Sequence, residues 1–154
     1  MIKVQREDFD YGREVAALSE GNPGVGGVCA FSGLVRDMAG DSQIDAMTLE
    51  HYPGMTEKSL AEIEAEAHRR WFLEKILIIH RYGRLKPGDQ IVLVAASSAH
   101  RDSAFDACRF LIDWLKTKAP FWKLEGSGED AQWVEAKDAD TRAHDRWLTD
   151  KEKE

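Results

Sequence analysis

A chain of 154 residues, 43% hydrophobic and 32% charged, has the composition of one ordinary globular domain, which excludes disordered and fibrous classes. Acidic residues outnumber Lys plus Arg by 28 to 21, a net charge of -7, so nucleic-acid binding over the whole surface is disfavoured while a local basic pocket is not. No apolar run approaches the roughly 20 residues that span a bilayer. Residues 1–11 hold five charges and no apolar stretch, so no secretory signal and a cytoplasmic location are expected.

Residues 1–9 open with the alternation Ile2, Val4 and read as a first strand, followed by a short helix over 10–18 with Val15 and Leu18 facing inward. Gly21-Asn22-Pro23-Gly24 is a turn by composition. Residues 26–36 read as a strand whose glycines allow a bulge or a close backbone approach. A polar loop over 37–42 leads to a strand over 44–52, stopped by Pro53-Gly54. Thr56 is the expected N-cap of a helix over 57–70, with Leu60, Ile63, Ala67 and Trp71 as one apolar stripe. Residues 76–80 form a β-branched strand, 85–89 a turn, and 91–96 a continuously apolar and therefore central strand. Ser97-Ser98 offers cap oxygens to a second long helix, from about 101 to 117, with Phe105, Cys108, Leu111, Ile112 and Leu115 on its buried face and Pro120 ending it. Short strands are expected at 121–124 and 133–136, with a loop over 126–130 between them. Residues 138–153 read as a helix or a frayed tail, in a segment (124–154) with ten acidic and five basic residues. The two long helices and about six strands predict an α+β fold, a mostly antiparallel sheet packed with helices, in a single domain over 1–154.

Cys29 and Cys108 stand far apart and outside any CxxC spacing, so they form no zinc-ligand cluster and no metal is expected. Two buried thiols in a reducing compartment is the simple reading, a single disulfide the alternative. Three stretches can carry chemistry. Ser98-Ala99-His100-Arg101 sits where the central strand meets a helix N-terminus, a place that favours anions. Arg101 adds a planar donor fork and His100 a group that exchanges protons near neutral pH. Arg at a helix start opposes the dipole, which hints at an acidic partner. In the second stretch, Lys116 and Lys123 flank a proline-broken apolar turn that also holds Lys118. Lys116 follows the buried Leu115, so partial enclosure and an altered amine are expected, although lysines at a helix C-terminus also simply complement its dipole. The third is Phe31-Ser32-Gly33-Leu34-Val35-Arg36, where Gly33 permits close approach and Arg36 reaches over a pocket. The glycines at 24–27 match neither a P-loop nor a dinucleotide loop. His51 is expected to make a structural hydrogen bond, and His68 and His80 to be ordinary residues at element edges. The five tryptophans, at 71, 114, 122, 133 and 147, read mostly as core or interface anchors.

These stretches, with Leu49-Glu50-His51-Tyr52-Pro53-Gly54-Met55 and Leu115-Lys116-Thr117-Lys118-Ala119-Pro120-Phe121-Trp122-Lys123, resemble the family of large, catalytic subunits of molybdopterin synthase (MoaE) from about residue 4 to residue 147. The resemblance implies a hammerhead-like α+β fold and a cytoplasmic sulfurtransferase that converts cyclic pyranopterin monophosphate (precursor Z) into molybdopterin. It implies no cofactor. The sulfur comes from a small ubiquitin-like carrier whose Gly-Gly tail ends in a thiocarboxylate. Two large subunits pair centrally as a homodimer, and a carrier caps each end, making a heterotetramer. The acidic segment 138–154 then has ordering on partner binding as one outcome. On the same ground Lys116 is catalytic and lies beside the carrier tail, and Lys123 supports binding or turnover. Arg36, His100 and Arg101 line the anionic substrate pocket, partly from the neighbouring subunit. Leu124 and Glu125 follow Lys123 in the substrate-binding set, although that stretch varies in the family, and Leu34 stands where some relatives carry Lys. Two other readings remain: a non-catalytic module that recognises a ubiquitin-like tail, and an RNA-binding domain, which would need a continuous basic face.

Overall fold

The computed structural model describes residues 1–39, 42–43, 45–125, 132–134 and 138–148. The longest apolar run becomes β8 (Gln90–Ser98), flanked by β6 (Lys75–Arg81) and β2 (Gly27–Leu34), both antiparallel to it. β1 (Ile2–Gln5) adds to the far side of β6 in parallel, giving the order β1-β6-β8-β2. Both faces of this sheet are covered, which is why β8 needs no alternation of polar and apolar residues. On one face Ile76, Ile78, Val92 and Val94 pack under α2 (Met55–Arg70) and α3 (Arg101–Lys118). On the other, Leu77, Ile79, Leu93 and Ala95 meet Phe9 and Leu18, which flank α1 (Tyr11–Ala16).

Two glycines serve as expected. β2 shifts register between Gly33 and Leu34, and a Cβ on Gly33 would come within 2.8 Å of Val92 Cγ1. A Cβ on Gly26 would sit 2.1 Å from the Ala99 carbonyl oxygen, so only glycine lets these chains pass.

A second sheet, β10-β9-β5-β7, is antiparallel throughout. It comprises β5 (Met47–His51), β7 (Gly83–Leu85), β9 (Phe121–Glu125) and β10 (Gln132–Val134), with Val35, Met47, Leu49 and Leu85 buried together beneath it. Within the expected loop at 37–42, β3 (Met38–Ala39) pairs with β4 (Ser42–Gln43). β7 starts before the expected turn at 85–89 and takes Leu85 into the sheet. The elements expected at 126–130, 135–136 and 149–153 lie outside the described residues.

The stripe of α2 is as expected: Leu60, Ile63 and Ala67 are buried, and Trp71 packs against the same core. Its cap is not. The helix begins at Met55, after Gly54 at φ 82, a conformation open to glycine. Thr56 is fully buried inside the first turn, where its hydroxyl donates to the Tyr52 carbonyl at 2.9 Å. The serines serve the start of α3 only in part: Ser98 Oγ accepts from the His100 N–H at 3.4 Å, but His100 is the N-cap. β8 runs on through Ser98, and Ser97 Oγ accepts from Lys75 N while Ser98 Oγ donates to the Phe72 carbonyl. Phe105 is 60% exposed rather than buried. The inner face of α3 there consists of Ala104, Ala107 and Cys108, and Phe105 lies one residue, about 100° of helix, past Ala104.

Helix α4 (Asp138–Asp145) packs on α3, and Trp147 fixes it there. The Trp147 indole N–H donates to Asp113 Oδ2 at 2.7 Å, its carbonyl accepts from Arg70, and its ring meets Trp71 and Phe110 edge-on. Trp71, Trp114 and Trp147 are therefore core anchors as expected, while Trp122 is exposed beside Tyr52. Both cysteines are free thiols. Cys108 is buried, and burial, with Cys29 beside it, pushes its pKa far up.

Candidate active site

α3 runs along the sheet with a predicted cationic group at each end. At its start, His100 occupies the N-cap position with extended backbone and no capping side chain. His100 and Arg101 are exposed, and among the described residues Arg101 meets a loose acidic neighbour, Asp102, at 3.9 Å. That is the acidic compensation the sequence hinted at, supplied by the next residue. The Arg101 backbone also lies against Gly27, the first residue of β2.

At the other end Leu115 is buried and Lys116 and Lys118 are exposed. Lys116 is thus not partly enclosed, contrary to expectation, although Leu115 beside it is in the core. α3 stops at Lys118 because Ala119, preceding Pro120, is held extended at φ -75, ψ 133. The Phe121 N–H then closes on the Ala119 carbonyl at 2.9 Å, a one-residue reversal about Pro120 that starts β9. Register carries the motif onward: Phe121 faces His51, Lys123 faces Leu49 and Leu124 faces Thr48. Lys123 and Leu124 are half-buried, and Glu125 is the last residue of β9.

Arg36 is exposed just beyond β2, at the end of that strand away from Gly27. The neighbouring Val35 exchanges backbone bonds with Asp89 and Gly88, and shares a core with Leu49, the partner of Lys123. Arg36, Lys116 and Lys123 accordingly belong to one end of the molecule. Arg101 does not join them within one chain: fifteen residues of helix separate it from Lys116, roughly 22 Å at 1.5 Å per residue.

Sequence reasoning missed a group of rings under this turn. His80 is buried, not an ordinary edge residue, and its ring stacks on Phe121 with centroids 3.6 Å apart and planes 16° from parallel. Its Nδ1 lies 2.8 Å from the Arg81 carbonyl, which makes Nδ1 the protonated nitrogen. Burial lowers its pKa to about 4; the Arg81 carbonyl opposes this, and Lys116 and His51 add to it. His51 makes the structural contact expected of it, to Thr56 Oγ1 at 3.2 Å, and lies against Tyr82. A signal was available: His80 continues the period-two face of Ile76 and Ile78 toward α3.

A separate cleft of about 470 Å³ lies between α3 and α4, lined by Trp114, Thr117, Lys118, Thr141, His144, Asp145 and Leu148. Of the predicted cations it includes only Lys118. Among the described residues no set of three or more His, Cys, Asp or Glu is grouped to hold a metal, and no helix is long and apolar enough to cross a membrane.

The molecule is thus an α+β fold of two four-stranded sheets with lysines on both sides of a tight helix-to-strand turn. Residues 4–118 match the family model described as MoaE protein, and the chain belongs to that family. It is 54% identical over 146 residues to the molybdopterin synthase catalytic subunit of Ralstonia nicotianae, covering 95% of this chain and 83% of that one. The molybdopterin biosynthesis MoaE protein from Burkholderia ambifaria superposes with a TM-score of 0.82 at 50% identity, covering 96% and 97% of the two chains. A Helicobacter pylori complex of subunits 1 and 2 of molybdopterin-converting factor shares the fold, with a TM-score of 0.72 at 20% identity over 89% and 90%.

Proposed function

We propose that this chain is the catalytic subunit of a cytoplasmic sulfurtransferase that converts cyclic pyranopterin monophosphate into molybdopterin. The sulfur donor is the thiocarboxylate at the Gly-Gly terminus of a small ubiquitin-like carrier. The observation that carries this reading is the Lys116-to-Lys123 turn, which sets two lysines on either side of a one-residue reversal in a chain of the MoaE family. Substrate phosphate and carrier tail are both anionic, and preorganised cations stabilise charge that develops between them.

The carrier's sulfur attacks an electrophilic carbon of the pterin side chain; a carbon–oxygen bond at that carbon gives up its electron pair to the oxygen, which takes a proton, and a thioester joins carrier and substrate. Water adds to the thioester carbonyl, the carbonyl carbon–sulfur bond breaks, the carrier leaves as a carboxylate, and the sulfur stays on the pterin. A second charged carrier repeats the cycle. Lys116 stabilises the developing negative charge or shuttles a proton, and Lys123 supports it. Arg36, with His100 and Arg101 from a second copy in a central dimer, holds phosphate; Leu124 and Glu125 border the substrate. The roughly 22 Å between Arg101 and Lys116 within one chain supports drawing Arg101 from that second copy.

Reconstitution with the substrate and thiocarboxylated carrier, followed by a dithiolene assay, tests the reading. Product formation that Lys116→Ala abolishes supports it. Tight carrier binding with no conversion would instead make the chain a tail-recognition module.

A further inference from the structure

Phe121 is held from three sides. Its N–H closes the reversal on Ala119, its backbone pairs with His51 across β5–β9, and its ring lies flat on the buried His80. His80 is in turn fixed by its bond to the Arg81 carbonyl and by the register of β6 against β8, where it faces Val92. The chain on one side of Phe121 leads back through Pro120 to Lys116, and on the other side to Lys123 two residues on. The stack therefore braces the residue on which the reversal closes, in the segment of chain that joins the two lysines.

We propose that His80 is a positioning residue: by stacking on Phe121 it sets the geometry of the α3–β9 reversal and so places Lys116 and Lys123 for the sulfur transfer proposed above. A flat, uncharged ring suits the place. It stacks face to face with Phe121, and it adds no second cation beside Lys116, one of the two titratable groups that act on it electrostatically. The inference rests on the proposed function, because position matters here only if both lysines serve one reaction.

The test uses the complex of this chain with thiocarboxylated carrier, and compares native protein with His80→Phe, His80→Gln, Phe121→Leu and the double variant His80→Gln/Phe121→Leu. Rates are normalised to the carrier-binding sites titrated in each preparation. His80→Phe, which keeps a flat ring, is expected to lower kcat about threefold or less. His80→Gln, which keeps a donor but no ring, is expected to lower kcat about tenfold or more with KM changed less than threefold. Phe121→Leu should match His80→Gln, and the double variant should be no worse than either, because all three break one contact. Three results would overturn the proposal: native kcat per site in His80→Gln, a tenfold loss in a folded His80→Phe, or losses that multiply in the double variant. If His80→Gln does not fold, His80→Phe still decides. A native complex that makes no product would reject the function itself, which separates the two failures.

Discussion

The N-terminal end of α3 begins on an uncapped His100, and Arg101 beside it stands 85% exposed with a loose acidic neighbour. The C-terminal end has Leu115 in the core, a reversal closed by a 2.9 Å hydrogen bond, and a buried imidazole stacked beneath it. One helix thus presents cations on two different terms. The backbone that carries the C-terminal lysines is braced by its own chain, although Lys116 itself is exposed; Arg101 is exposed at a helix end without a side-chain cap. A braced backbone suits chemistry, where misplacement by an ångström is costly.

The largest expected effect tests the braced end. Lys116→Ala should lower turnover by about 100-fold or more while carrier affinity, read by titration calorimetry, changes less than threefold. A parallel loss of affinity and rate would make the C-terminal end a binding surface and erase the contrast. The next test asks whether the two ends meet between copies. Lys116→Ala and Arg101→Ala proteins, each poorly active alone, are allowed to exchange subunits in equal amounts. If each site draws on both copies, half the dimers are mixed and each holds one intact site, so roughly a quarter of native activity returns. No recovery despite demonstrated exchange would confine each site to one chain.

A stability experiment sharpens the same comparison. The pKa of His80 is about 4 in the folded chain against 6.5 for an unperturbed histidine, so between these values the unfolded chain binds more protons. Stability from this group is therefore complete above about pH 6.5 and falls as the pH drops toward 4. The full change is on the order of 3 kcal/mol. The ring is buried, so solvent screening does little to reduce it. Melting temperatures of native protein and His80→Phe across that range should converge as the pH falls. Parallel curves would mean that His80 is not the group whose protonation loosens this end.

Most of the framework was legible because it rests on local patterns. The apolar runs of β6 and β8, the stripe of α2 and the stop at Pro120 are periodicities and steric rules that hold wherever the chain goes. What escaped depended on distant partners. The parallel pairing of β1 with β6 joins segments more than seventy residues apart. Phe105 falls at helical spacing with Cys108, Ile112 and Leu115, but small residues face the sheet there. Leu85 was assigned to a turn because Pro87-Gly88 follows, yet β5 recruits it. At the site, the lysines and arginines were legible as residue types in a motif. The predicted helix already set Arg101 and Lys116 a helix length apart, but that Arg36 lies at the Lys116 end depends on the pairing of β2 with β8 and was not legible. His80 looked ordinary because nothing in its own strand announces Phe121, forty-one residues later.

The smallest expected effect concerns what steadies α3 from outside. The Trp147 indole N–H donates to Asp113 Oδ2, itself 3.9 Å from Arg146 Nε, while the ring fills the corner between Trp71 and Phe110. Trp147→Phe removes the donor, keeps most of the apolar contact and leaves Asp113 with Arg146 and water. The expected loss is about 1 kcal/mol, seen as a modest drop in the midpoint of urea unfolding at an unchanged slope. Trp147 braces α3 from the α4 side, and the reversal that joins Lys116 to Lys123 lies at the C-terminal end of that helix. If α3 is rigid, this variant therefore loses stability without losing turnover at temperatures where it stays folded. A fall in turnover alongside native unfolding behaviour would mean that the C-terminal end of α3 is positioned by α4 as well as by its own buried stack.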